Sequence, residues 1–102
     1  MKIVINVCWG GFSVNEAVYK ELAIAWDGFG YIQNEDLAID SDNYQAYRAD
    51  PSLIAAIEAV GEDNAGGVHA SLRVVEIPDG VEWDIDEYDG QETIHEVHRS
   101  WR

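Results

Sequence analysis

The sequence predicts an α+β fold in which a small, largely antiparallel sheet packs with two to three helices. Two runs of β-branched residues, one near the N-terminus and one in the second half of the chain, are typical of strands. Between them, apolar residues recur at helical spacing. The 102 residues suffice for one domain, residues 1–102, with one compact core. The expected order is strand, helix, helix, strand, strand, helix.

The first strand and the first helix are separated by a glycine pair. Residues 3–7 are almost all β-branched, which predicts a strand, and Gly10-Gly11 ends it. Ser13 and Glu16 have the spacing of a capping box, in which each side chain bonds to the backbone near the other. Helix one is therefore expected over about residues 14–26.

The middle of the chain is expected to be a long loop followed by a helix. Residues 31–50 have weak periodicity and five acidic residues, with room for a short strand. Loops of this length in small domains are often functional or mobile. Asp50 and Pro51 form a helix start, an N-cap acid followed by proline at the first helical position. Gly61 has the place of a C-terminal cap, so helix two is predicted over residues 51–60.

The second half of the chain is expected to contain a hairpin with one acidic face. Residues 68–77 and 81–86 alternate in hydropathy and flank the turn signal of residues 78–80. From Asp79 to Glu92 there are seven acidic residues and no basic one. This run is either a solvated outer face or a stripe that imitates nucleic-acid phosphates toward a partner protein.

A short helix is expected at the C-terminus. The sequence of residues 89–92, Asp-Gly-Gln-Glu, has the form of a helix cap. Ile94, Val97 and Trp101 then fall on one side of a helix. The predicted range is about residues 91–100.

The charge of the chain restricts its partners. Six Lys and Arg against 20 Asp and Glu give a net charge of −14. Binding to a nucleic-acid polymer requires clustered basic residues, so no such partner is expected. A membrane partner is not expected either, because anionic lipid repels this charge and no segment resembles a membrane span. The single cysteine, Cys8, excludes an intramolecular disulfide and is typical of a reducing cytoplasm.

Gly10, Gly11 and Phe12 are candidate ligand-binding residues between the first strand and the first helix. Glycines at the start of a helix expose backbone N–H groups, and such groups bind anions. The alternative is a tight turn that requires glycine for its backbone conformation. The sequence leaves both interpretations open.

The arginines are candidates because basic residues are so few. Arg48 follows two tyrosines, and Arg99 and Arg102 lie beside Trp101 near the C-terminus. Arginine binds phosphate in a bidentate fork and aromatic rings stack on bases, so this combination suits a small phosphorylated nucleotide. Salt bridges to neighbouring acidic residues are the alternative.

Several sequence blocks together resemble a known family. They span most of the chain and resemble the phage Thoeris anti-defence family that acts as a sponge for glycocyclic ADP-ribose. The blocks are KIVINVCWGGFS at 2–13, YRADPSLI at 47–54, VVEIPD at 74–79, EWDIDEYDG at 82–90 and HRSWR at 98–102.

The resemblance implies a small cytosolic protein that forms homo-oligomers and binds the cyclic signal of a host TIR-domain enzyme without cleaving it. Some members are also thought to hold cyclic oligonucleotides. The implied ligand contacts are Arg48, Arg99 and Arg102, with His69 or Asp79 near the base. At His69 the family has an aromatic residue, and at Asp79 an amide.

The predicted function is therefore that of a phage protein which sequesters a cyclic nucleotide immune signal in the cytoplasm of an infected bacterium. The alternative is an acidic inhibitor that imitates nucleic acid toward a nucleic-acid-binding host protein. An enzyme is not expected, because no nucleophile, base and orienting residue can be combined with any specificity. No catalytic residue, metal ligand or cofactor is assigned.

Overall fold

The fold is α+β, as predicted. The structure is a computed structural model and describes residues 1–97; residues 98–102 lie outside the described part. The elements are β1 Lys2–Asn6, α1 Glu16–Leu22, α2 Pro51–Val60, α3 Glu62–Ala65, β2 Leu72–Glu76, β3 Trp83–Tyr88 and β4 Gln91–Glu96, with 3-10 helices at Asn34–Leu37 and Ala46–Ala49. None of the helices within residues 1–97 is long and apolar enough to cross a membrane.

Helix α1 is shorter than the sequence predicts. Its N-cap is Asn15 and not Ser13, since the Asn15 side chain accepts a hydrogen bond from the first turn. The helix ends at Ala23, which adopts a left-handed backbone conformation with φ of 58°. The expected range of 14–26 was therefore too long at both ends.

Helix α2 confirms its prediction at both boundaries. The carboxylate of Asp50 accepts from the N–H of Leu53 at 3.1 Å, and Pro51 occupies the first turn. Gly61 ends the helix, and its N–H donates to the carbonyl of Ile57. In the preceding loop, the described chain forms two 3-10 helices and no strand.

The apolar core lies between β1, α1 and α2. Helices α1 and α2 pack on each other, and β1 packs against α2. Leu72 of β2 and Ile32 of the long loop complete the core. Its most deeply buried apolar residues are Ile3, Val4, Val14, Val18, Ile32, Leu53, Ile57, Ala65 and Leu72.

The strands form two separate two-stranded antiparallel sheets. β1 pairs with β2 in a register that sets Val4 opposite Val74. β3 pairs with β4. The expected hairpin between residues 68–77 and 81–86 is therefore wrong, because β2 is paired to β1 and the chain crosses to the second sheet. The strand itself is shorter than expected, and a turn bond from Ala70 to Gly67 precedes it.

The expected C-terminal helix is also wrong over the described residues. Asp89 and Gly90 have φ values of 51° and 83°, which is the conformation of a two-residue hairpin turn. Gln91–Glu96 accordingly returns as strand β4. The rest of the expected helix, residues 98–102, lies outside the described part.

The turn after α1 is organised by one carboxylate. Asp27 accepts from the N–H groups of Phe29 at 2.7 Å, Gly30 at 2.6 Å and Tyr31 at 3.3 Å. These bonds, that to Gly30 foremost, hold the pKa of Asp27 below its ordinary value. The hydroxyl of Tyr19 also bonds to this carboxylate.

We expect Asp27→Asn to lower the melting temperature at neutral pH. Because the folded protein lowers the pKa of Asp27, the stabilisation is present above the unfolded pKa, about 3.9, and is lost as pH falls through the folded value. The difference in melting temperature between Asp27→Asn and wild type should therefore become smaller below about pH 4. Thermal unfolding as a function of pH measures this, and Asp42→Asn in the exposed loop is the matched control. An equal loss in both variants would contradict the role of Asp27.

Candidate functional site

A buried ion pair lies where the second sheet meets the body of the protein. Arg48 and Glu92 are only 3% and 6% exposed. The two terminal nitrogens of Arg48 donate to the two carboxylate oxygens of Glu92, both at 2.7 Å. Arg48 Nη1 also lies 3.3 Å from the carbonyl oxygen of Val4. This bidentate geometry is the strongest form of the pair.

Aromatic rings surround the guanidinium of Arg48. Its central carbon lies 3.7 Å from the centroid of the Phe12 ring and 5.2 Å from that of Tyr47. Burial lowers the pKa of Arg48, but the bonds to Glu92 and the contact with Tyr47 outweigh burial, and the net pKa lies above its ordinary value. The guanidinium is therefore a fixed positive charge. Its Nε is buried and has no hydrogen-bond partner among residues 1–97.

Asn6 joins the same network from the end of β1. Its side-chain nitrogen donates to the carbonyls of Cys8 at 2.6 Å and Gly90 at 2.7 Å. Its side-chain oxygen accepts from the N–H groups of Cys8 at 3.2 Å and Ser71 at 2.9 Å. Its backbone N–H donates to Glu92 at 2.8 Å. One fully buried side chain thus joins the loop after β1, the start of β2 and the hairpin turn.

The loop after β1 presents an exposed pair of aromatic rings. The rings of Trp9 and His69 stack with centroids 5.3 Å apart and an interplanar angle of 27°. Trp9 is 65% exposed. A Cβ on Gly10 would overlap the Cβ and the carbonyl oxygen of His69, so glycine is required there by packing. Gly11 has φ of 85°, and no atom of residues 1–97 would obstruct a Cβ there, so glycine is required at this position by conformation.

Five of the predicted site residues come together around this loop. Gly10, Gly11 and Phe12 form the turn, Arg48 packs against Phe12, and His69 packs against Gly10.

Asp79 does not join them. It lies at the other end of the β1–β2 sheet, where its carboxylate bonds to the amino group of Met1 at 2.5 Å, a contact that lowers the pKa of Asp79. A five-residue strand, about 14 Å long, separates the two ends. Arg99 and Arg102 lie outside the described residues.

The geometry corrects the expected roles of Arg48 and Phe12. Both terminal nitrogens of Arg48 are bonded to Glu92, so a phosphate could reach them only by displacing that carboxylate. Phe12 is half-buried against Arg48 and turns an edge to Tyr47 at 5.8 Å. These two residues support the loop from beneath, and the exposed surface above it belongs to Trp9 and His69.

The expected helix N-terminus beside the glycine pair is wrong as well. α1 begins at Glu16 and is seven residues long, so Gly10 and Gly11 do not lie in its first turn. What the turn does offer is backbone: Trp9 and Gly10 form a hydrogen-bonded turn, and within residues 1–97 the N–H groups of Gly10 and Phe12 donate no hydrogen bond.

The sequence did not identify Glu92 and Asn6 as members of this site. Glu92 was one of seven acidic residues in an apparently solvated run, but its carboxylate is buried and only the remainder can form an acidic surface. On that surface Asp86 pairs with His95 at 3.0 Å. Asn6 carried no signal except its place as the one polar residue in an apolar strand.

A separate cleft lies in the long loop. It has a volume of about 530 Å³ and is lined by three carboxylates, from Glu35, Asp40 and Asp42, without Lys or Arg. Such a lining repels an anionic ligand, so the cleft does not compete with the Trp9–His69 surface as a nucleotide site.

Comparisons with known proteins add no identification. No protein-family model, curated protein sequence or solved structure matches the chain.

Proposed function

We propose that the protein binds and sequesters a cyclic nucleotide immune signal of the glycocyclic ADP-ribose type, without cleaving it. The observation that carries the proposal is the exposed stack of Trp9 on His69 beside the Gly10-Gly11 turn. An indole face open to solvent stacks on a nucleobase with about 1–3 kcal/mol. The resemblance of the sequence blocks supports the same ligand class.

In this proposal, the phosphate groups of the ligand are bound by backbone N–H groups of the turn after Trp9 and by two arginines near the C-terminus. The N–H groups of Gly10 and Phe12, which donate no hydrogen bond within residues 1–97, supply uncharged donors in the turn that follows Trp9. Arg99 and Arg102 supply the charge, an assignment that rests on the sequence. Arg48 acts indirectly in this proposal, because its contact with Phe12 holds the turn.

The protein would act in the cytoplasm of an infected bacterium. It would act there as a homo-oligomer. Support for oligomers comes from the resemblance and from the exposed ring of Tyr88 beside the hairpin turn. The net charge of −14 is consistent with partners other than nucleic-acid polymers and membranes.

Sequestration is tested by recovering the signal. The protein is incubated with glycocyclic ADP-ribose, excess ligand is removed, and the protein is denatured by heat. Intact ligand in the supernatant supports a sponge. A cleaved product would indicate an enzyme, and the absence of ligand would refute binding.

We expect Trp9→Ala to weaken binding of this ligand about five- to 150-fold, because loss of one stacked base costs about 1–3 kcal/mol. The melting temperature should change little, since the indole is mostly exposed. Calorimetric titration measures the affinity. Tyr44→Ala removes another exposed ring and is the control. Equal affinity of wild type and Trp9→Ala would exclude the Trp9–His69 surface as the site.

A second candidate function is inhibition by imitation of nucleic acid. Asp84 and Asp86 lie on one face of β3 and are exposed, with about 6.8 Å between alternate residues of a strand. A row of this kind can occupy the basic surface of a nucleic-acid-binding protein. The double variant Asp84→Asn/Asp86→Asn separates the two candidate functions. It should abolish inhibition of a nucleic-acid-binding protein, if that is the function, and it should leave nucleotide binding unchanged.

A further inference from the structure

An apolar groove lies between the turn after α1 and the segment that follows α3. Its walls are Trp26, Phe29 and Val68, and its volume is about 310 Å³. Three further lining residues are glycines and are called here the glycine floor. The glycines are Gly28, Gly66 and Gly67.

The walls of this groove, called here the Phe29 groove, are exposed and yet held in place. Phe29 is 71% exposed and Val68 is 94% exposed. The Phe29 ring stacks on Tyr31 with an interplanar angle of 7°, and Trp26 packs edge-on against Tyr19 at 4.9 Å. Rings that are already fixed lose little conformational entropy on binding. Exposed apolar surface of this kind marks a contact site.

The charges at the groove are negative. Glu16 is the one charged residue that lines it, and within residues 1–97 it forms no ion pair. Asp27 immediately precedes the floor residue Gly28, and its pKa lies below the ordinary value, so it stays ionised at neutral pH. An occupant with a positive charge beside an apolar side chain is complementary to this arrangement.

We infer that the Phe29 groove binds a basic, apolar segment of another protein. An aliphatic side chain of the partner inserts between Phe29 and Val68, above the glycine floor. A neighbouring Lys or Arg reaches the carboxylate of Glu16 and the faces of the aromatic rings, where a cation is attracted. A second copy of this chain is the poorer occupant of this groove, because each copy offers only six Lys and Arg against 20 Asp and Glu. The inference is independent of the proposed nucleotide site, which uses other residues.

The experiment uses the full chain and two synthetic probes. One is an 18-residue amphipathic peptide of Leu and Lys, and the other replaces each Lys with Glu. Calorimetric titration should show binding of the Leu–Lys peptide only. Because a chain this acidic attracts any basic peptide, the decisive comparison is between variants: Phe29→Ser and Val68→Ser should each weaken binding at least tenfold.

Matched controls separate the groove from general charge and from unfolding. Tyr44→Ser, an exposed ring elsewhere, should leave the affinity unchanged, and Glu16→Gln should weaken it more than Glu21→Gln on the same helix. Equal melting temperatures of wild type and Val68→Ser verify the fold. Unchanged affinity in both groove variants would overturn the inference. A dimer in sedimentation that Val68→Ser dissolves would overturn it in favour of a second copy.

Discussion

Glu92→Ala is expected to destabilise the protein by about 3–5 kcal/mol, the usual result when one partner of a buried ion pair is removed. The guanidinium of Arg48, 3% exposed, would then be left without its counter-charge. A domain of this size has about 5–15 kcal/mol of stability in total, so the variant should be partly unfolded near body temperature. Urea unfolding measures the free energy directly.

A variant in which both residues of the ion pair are replaced provides the control. Replacing the pair with Arg48→Met and Glu92→Leu should recover most of the loss, because two apolar side chains need no counter-charge. Glu87→Ala, opposite Glu92 on the same hairpin, should change stability by less than about 0.5 kcal/mol. If Glu92→Ala costs no more than Glu87→Ala, the ion pair is not formed in solution. Arg48→Glu should not fold, since it sets two carboxylates together in the interior.

Asn6→Leu should have the next largest effect and lower the free energy of unfolding by about 3 kcal/mol or more. The side chain satisfies four buried or half-buried backbone groups, and each one left unpaired costs about 1–3 kcal/mol. For about 100 residues this corresponds to a fall in melting temperature of roughly 12 °C or more. Leucine is close in size, so the lost hydrogen bonds and not a cavity produce the effect.

Gln91→Ala is the comparison for this variant, because Gln91 is exposed at the same hairpin turn. A fall of only a few degrees in Asn6→Leu, similar to Gln91→Ala, would mean that water replaces the bonds of Asn6.

The parts of the fold that could be predicted are those with local signals. Helix α2 was found because Asp50 and Pro51 specify its start within two residues. β4 was missed because Asp-Gly followed by a polar pair is typical both of a helix cap and of a two-residue hairpin turn. Only the positive φ angles of Asp89 and Gly90 decide between them, and sequence does not display φ.

Only part of the site could be predicted, because the contacts that form it join residues far apart in the sequence. Arg48 attracted notice because cations are rare in this chain, but its role depended on Glu92, which lies 44 residues away. A carboxylate within a run of acids gives no sign of being buried. The exposed position of Trp9 depended on the packing of Gly10 against His69, which is also a long-range contact.

The pairing of β1 with β2 has a consequence for how the chain folds. Lys2 pairs with Glu76, so β1 is synthesised well before its neighbour β2 and can pair with it only after the long segment between them has been made. Bringing together residues this far apart in sequence costs conformational entropy before the contacts between them stabilise the fold. This cost slows folding. Until then the apolar residues of β1 are unpaired and prone to aggregation. The high density of acidic residues then keeps nascent chains apart through mutual repulsion during the interval in which β1 is exposed.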